Sequence, residues 1–113
     1  MGPPGFGLSK EHAVEVCLPP GEKAYLDGLR CPGGSAPKPH RVGSLGSRMQ
    51  PVDPDDPRVL LQMDPERTLA PGEPDFHIVD AVEAHCPGAV YTLFFDMYHC
   101  PAAPQPPPDG LGR

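Results

Sequence analysis

Hydrophobic and polar positions along this chain are most regularly ordered between residues 77 and 100, HIVDAVEAHCPGAVYTLFFDMYHC. Phe76 to Cys86 and Ala89 to Cys100 are two strand candidates flanking Pro87-Gly88, a turn dipeptide in which proline presets φ and glycine accepts a positive one. The pattern predicts a long antiparallel hairpin, and its register decides which side chains meet. If Cys86 pairs with Ala89, Val82 faces Leu93 and Ile78 faces Met97. One face is then largely apolar, with Phe76, Ile78, Val82, Ala84, Tyr91, Leu93, Phe95 and Met97, while the other sets His77 against Tyr98 beside Asp96, with Glu83 and His85 nearer the turn. If the loop is one residue longer, Asp80 falls opposite Asp96 and His77 opposite His99, and facing carboxylates repel. Pro-Gly favours a type II turn, which suits the longer loop, whereas charge favours the shorter. The shorter loop is preferred.

Elsewhere the pattern is weaker. His12 to Leu18 alternates, with Val14, Val16 and Leu18 on one side, and predicts a half-buried strand ended by Pro19, Pro20 and Gly21. Tyr25, Leu26 and Leu29 have helical spacing and predict one or two turns between Glu22 and Arg30, closed by Cys31 to Gly34. Residues 32–57 read as loop, with a brief strand around Arg41 and Val42. Asp56-Pro57 has the form of an N-cap followed by proline at the first helical position, so Arg58 to Met63 reads as a short helix, although RVLLQM also fits a buried strand. Asp64-Pro65 repeats the cap signal. Residues 1–10 predict a flexible arm, 11–100 a single small domain, and 101–113 a proline-rich disordered tail of extended polyproline form. The fold class this implies is α+β, mainly β: a small antiparallel sheet centred on the hairpin at about 76–100, with the His12 to Leu18 strand added and one or two short helices on a face.

Composition narrows the function. With 19 prolines and 13 glycines among 113 residues, the chain exceeds the roughly 25–30% at which such enrichment signals partial disorder. A small core is left, marginal unless a partner or cross-link supports it. The net charge of −6 disfavours nucleic acid, because binding to a phosphate backbone draws on Lys and Arg. The start MGPPGFGLSKEH lacks the basic and apolar segments of a secretory signal, and no apolar run reaches the roughly 18 residues of a membrane span. These features predict a cytoplasmic protein without membrane contact, in which Cys17, Cys31, Cys86 and Cys100 are free or metal-bound.

Three constellations carry candidate chemistry. In the preferred register Asp96 can orient His77 and raise its basicity, with Tyr98 as a further proton donor, an arrangement suited to general acid–base work. An ordinary polar sheet face explains the same residues and is favoured, since no nucleophile accompanies them. Arg41, Ser44, Ser47 and Arg48, in RVGSLGSR, offer guanidiniums, hydroxyls and glycine-rich amides to an anion, but the segment is neither GxGxxG nor a P-loop, and a flexible connector is favoured. Cys17, Cys31 and Cys100 with His99 or His12 are the available zinc ligands, although CxxC and HExxH spacings are missing and buried thiols are the preferred reading. Asp53, Asp55 and Asp56 lack the EF-hand order and read as a solvated turn. Pro104 to Pro107 has PxxP spacing, which a plain solubilising tail also explains.

The sequence therefore predicts a noncatalytic binding or assembly module that contacts a protein partner or a second copy through a sheet face or strand edge. No cofactor is expected. The alternative is a small enzyme or anion-binding protein using His77, Asp96 and Tyr98 with Arg41 and Arg48. A zinc-stabilised Cys/His fold comes third.

Overall fold

The computed structural model describes residues 2–49, 55, 57–64, 67, 69–101, 103 and 105–113. Asp53 and Asp56 of the acidic group, the cap pairs Asp56-Pro57 and Asp64-Pro65, and Pro104 of the PxxP segment fall wholly or partly outside them. In chain order the elements are β1 (Val14–Glu15), α1 (Leu18–Asp27), β2 (Lys38–Ser47), α2 (Pro57–Gln62), β3 (Ile78–Cys86) and β4 (Ala89–Asp96). They form an α+β, mainly β fold around one sheet in the order β1-β4-β3-β2.

The hairpin adopts the shorter loop, with Cys86 opposite Ala89, Ala84 opposite Tyr91 and Val82 opposite Leu93. Gly88 takes φ 75°, which glycine adopts without strain. Charge separation overrides turn preference: this register sets Asp80 against Phe95 and keeps it from facing Asp96. Alternate residues of β3 and β4 then build the core, where Val82, Leu93 and Phe95 join Val14, Leu29 and Leu111. Tyr25 of α1 meets Phe95 edge-on, with ring centroids 5.6 Å apart. Burial of this kind contributes about 25 cal/mol per Å² of apolar surface and is the main force closing the helix onto the sheet.

Four expectations require correction. The sheet is mixed, because β1 runs parallel to β4, pairing Val14 with Phe95 and Glu15 with Asp96, and it is far shorter than the predicted His12 to Leu18 strand. Pro19 and Pro20, expected to end that strand, stand in the first turn of α1, which runs ten residues. The first N–H groups of a helix lack internal acceptors, so proline costs nothing there, and the first donor needed is that of Gly21, which reaches the Cys17 carbonyl at 3.0 Å. The segment read as a loop with a brief strand is largely β2, a ten-residue edge strand antiparallel to β3, interrupted by register shifts between Arg41 and Gly43 and between Ser44 and Ser47. α2 resolves the ambiguity of RVLLQM in favour of helix, with Val59 and Gln62 inward and Leu60 and Leu61 exposed.

The fourth concerns the cysteines. Cys17 bonds to Cys100 and Cys31 to Cys86, so none is free and none is available as a thiolate for zinc. Spanning 83 and 55 residues, each cross-link removes enough unfolded-chain freedom to be worth on the order of 4 kcal/mol in the chain-entropy account. They supply what so small a core lacks.

Described residues near both ends of the sequence pack against the sheet and α1. Leu111 is completely buried, and Arg30 and Gly112 exchange backbone hydrogen bonds of 2.8 and 2.9 Å. The Gly5 amide donates to Asp109 at 2.8 Å, and the Phe94 amide donates to the Gly7 carbonyl at 2.9 Å. Gly7 has φ 78°, and a Cβ there would come within 3.1 Å of Pro108 and 3.2 Å of Val14, so the arm lies flush only as glycine. Among the described residues, no helix is long and apolar enough to cross a membrane.

Candidate functional site

At the end of the sheet away from the hairpin turn, a group of ionisable side chains closes over the face opposite the main core. Parallel pairing of β1 with β4 places Glu15 beside Asp96. Arg48 follows the last residue of β2, where its amide donates to the His77 carbonyl at 2.9 Å, and the next amide, of Met49, donates to the Asp75 carbonyl at 3.0 Å. Residues 75–77 lead into β3, and residues 98–99 leave β4. Four stretches of the chain thus deliver Glu15, Arg48, Asp75 with His77, and Asp96 with His99 to one place.

The hydrogen bonds are dense. One terminal nitrogen of Arg48 donates to Glu15 at 2.8 Å, Asp75 at 3.1 Å and Asp96 at 3.2 Å. Nδ1 of His77 lies 3.0 Å from both Asp75 Oδ1 and Asp96 Oδ2. A carboxylate only accepts, so this nitrogen carries the hydrogen. Nε2 of His99 lies 2.6 Å from Asp75 Oδ2 and 3.1 Å from Asp96 Oδ2. The backbone adds to the same carboxylates: the amides of His77 and Tyr98 donate to Asp75 and Asp96 at 3.0 and 3.1 Å.

Electrostatics follow from this wiring. Burial alone would lower the pKa of His77, but hydrogen bonds and charge from Asp75 and Asp96 outweigh it and push the imidazole up to about 9. The same carboxylates, chiefly through hydrogen bonds, raise His99 to about 10 against a smaller cost of burial. Burial would raise Asp75 and Asp96, yet hydrogen bonds from the two imidazoles hold both well below the usual carboxylate range. Two imidazolium rings and one guanidinium therefore balance three carboxylates, which is what allows so many charges to leave water together.

Asp75, His77, Asp96 and His99 bring ligand atoms within 4.8 Å of one another, close enough to enclose a metal ion. Arg48 already supplies a cation to these carboxylates, and Nδ1 of His77 is committed as a donor, so the group is better matched to an ion-pair network than to a metal.

A second edge of the site is more open. Nε2 of His77 is buried, in a side chain only 1% exposed, and has no hydrogen-bond partner among the described residues. His77 is one of the described residues that line a recess of about 230 Å³, with Arg67, Leu69, Tyr98 and His99. The rings of His77 and Tyr98 are 5.4 Å apart at their centroids. Arg67, at the rim, directs two nitrogens to one oxygen of Glu73 at 3.1 Å.

The structure thus joins His77, Asp96 and Tyr98, and adds His99, which the sequence analysis grouped with cysteines. Arg48 belongs here as a partner of buried carboxylates. Arg41 stands elsewhere along β2, 2.8 Å from Asp80, and Ser44 and Ser47 pair with Asp80 and Ile78. Residues 41–47 of the RVGSLGSR segment are therefore strand, and its two guanidiniums serve separate acids. Cys17, Cys31 and Cys100 are in disulfides. Glu15, Asp75 and Arg67 were not anticipated: the parity of β4 extended to a third strand could have indicated Glu15, whereas Asp75 and Arg67 lie in irregular segments with no periodic signal.

A further acid pair lies under α1. Asp80 shares the core face of β3 with Val82 and is buried against Glu22, which is 8% exposed. Burial, then a hydrogen bond with Asp80 and its charge, pushes Glu22 up to about 8, so Glu22 keeps its proton near neutral pH.

No family model, curated protein or solved structure matches this chain.

Proposed function

We propose that this protein is a noncatalytic binding module that takes a small polar ligand in the recess beside His77. The observation that carries this reading is the buried, unpartnered Nε2 of His77, a residue that lines that recess. Buried polar atoms in native proteins find partners, and an exception at a cavity marks a place where something else completes the bond. Catalysis is not favoured by the same geometry, because both imidazoles are held as cations by acids and neither is free to accept a proton. Assembly through the sheet edge has less support. β2 is the long edge strand, but Pro39 lacks an N–H and two register shifts break its ladder, both features that oppose edge pairing.

Under this reading the two disulfides support an oxidising compartment in preference to the cytoplasm. The test is a thermal-shift screen of small polar compounds on the oxidised protein, repeated on Tyr98→Ala and on a β2 edge variant, Val42→Lys. Compounds that stabilise the parent and the edge variant but respond differently in Tyr98→Ala support the recess. A response lost only in the edge variant, together with dimer formation, moves the function to β2.

A further inference from the structure

The chemistry of the recess wall restricts what can occupy it. Of the described residues that line it, Arg67, His77 and His99 are cation-forming, one is a phenol and one is leucine, and none is a carboxylate. The acids of the site stand behind the imidazoles: Asp75 and Asp96 meet Nδ1 of His77, leaving Nε2 on the edge of the ring turned from them. With Nδ1 given to the two acids, the ring donates at Nε2 as well in the imidazolium form that those acids favour, and no described residue accepts from it. Arg67 spends two nitrogens on a single oxygen of Glu73, and a guanidinium has five N–H groups in a planar fork.

We propose that the recess binds a small carboxylate anion, one oxygen accepting from His77 Nε2 and the other facing Arg67, with Tyr98 as the movable cover. The proposal rests on the ligand-binding reading above and names the class of that ligand. A carboxylate has two acceptor oxygens and no donor, so it matches a wall whose described residues hold donors and no acids. Size agrees: a volume of about 230 Å³ is below the roughly 300–1,000 Å³ of ordinary small-molecule pockets, so the fit is to an anion of a few carbons. Leu69 gives such a chain one apolar contact. Because Nε2 is sealed from solvent, the anion reaches it when the half-buried Tyr98 ring swings outward, a side-chain rotation that leaves the sheet intact.

The experiment uses the intact oxidised protein labelled with ¹⁵N-histidine, titrated with acetate and separately with neutral acetamide at constant ionic strength, while the His77 Nε2 resonance is followed. Acetate is expected to shift it saturably, at least tenfold more tightly than acetamide, and Arg67→Gln is expected to weaken acetate about tenfold, as loss of a hydrogen bond to a charged group does. Equal binding of acetate and acetamide overturns the anion class and leaves the ligand site standing. If neither compound moves the resonance and a trapped water shows a cross-peak to Nε2–H, the anion proposal and the ligand-binding reading both fall. The titration reads the parent protein, so it does not depend on a variant at His77 folding.

Discussion

Arg48 and Asp96 are 48 residues apart in sequence and 3.2 Å apart in the fold, and Asp96 is wholly buried. The contact links the end of an edge strand to the end of a central one, and Arg48 extends it to Asp75 and Glu15. Replacing Arg48 with Met leaves these buried acids short of a cation. Removal of one partner from a buried ion network costs about 3–5 kcal/mol, which urea denaturation should register as a large drop in midpoint. By contrast, Lys23→Ala breaks an exposed pair with Asp27 and should change stability by less than about 0.5 kcal/mol. Equal effects from both variants would mean that the Arg48 cluster is not cohesive.

Stability should depend on pH in a definite direction. His77 and His99 rise from 6.5 to about 9 and about 10 on folding, so their contribution is complete below about pH 6.5 and is lost as pH climbs through the higher values. Glu22, raised from 4.5 to about 8, adds a loss over that interval. Asp75 and Asp96 are lowered from 3.8, so their contribution is present above that value and fades as the solution becomes more acid. The urea midpoint should therefore be highest in mild acid, near pH 4–6 on this linkage argument, and fall steadily towards pH 10. A flat profile from pH 6.5 to 10 would show that the imidazoles fold uncharged.

The disulfides should differ in lability. Cys17 is exposed, whereas Cys31 is 4% exposed and its partner Cys86 packs against the core. A thiolate must reach a sulfur to exchange with it. Under limiting reductant, alkylation followed by peptide mapping should label Cys17 and Cys100 well before Cys31 and Cys86. Labelling of all four together would indicate that opening is global.

Leu111, three residues from the end of the chain, is expected to behave as a core residue. Leu111→Ala should destabilise the protein by about 2–5 kcal/mol, the range for large-to-small changes in a packed interior. A truncation before Leu111 should do at least as much. An unchanged thermal midpoint in either variant would return residues 101–113 to the status of a tail.

What the sequence determined by itself was local and periodic. Alternation in HIVDAVEAHC and AVYTLFFD defined the hairpin, and repulsion between Asp80 and Asp96 selected its register, which in turn brought His77 and Asp96 to one face. Those effects act between residues close in the chain or directly opposed in a ladder, so pattern alone carries them.

Tertiary structure decided the rest. RVGSLGSR has the glycines and serines of a connector and becomes β2 because β3 offers it an edge; Leu111 sits in a proline-rich run and is buried because the core has a vacancy for it. The pairing of four cysteines depends on which segments the fold brings within bonding distance, a quantity to which spacing is blind. The ion cluster is the clearest case. Glu15, Arg48, Asp75 and His99 are unremarkable one by one, and only sheet order, with β1 parallel to β4 and Arg48 emerging from the far edge strand, draws them together. Long-range convergence leaves no period in the chain, because each residue answers to neighbours that sequence distance does not reveal.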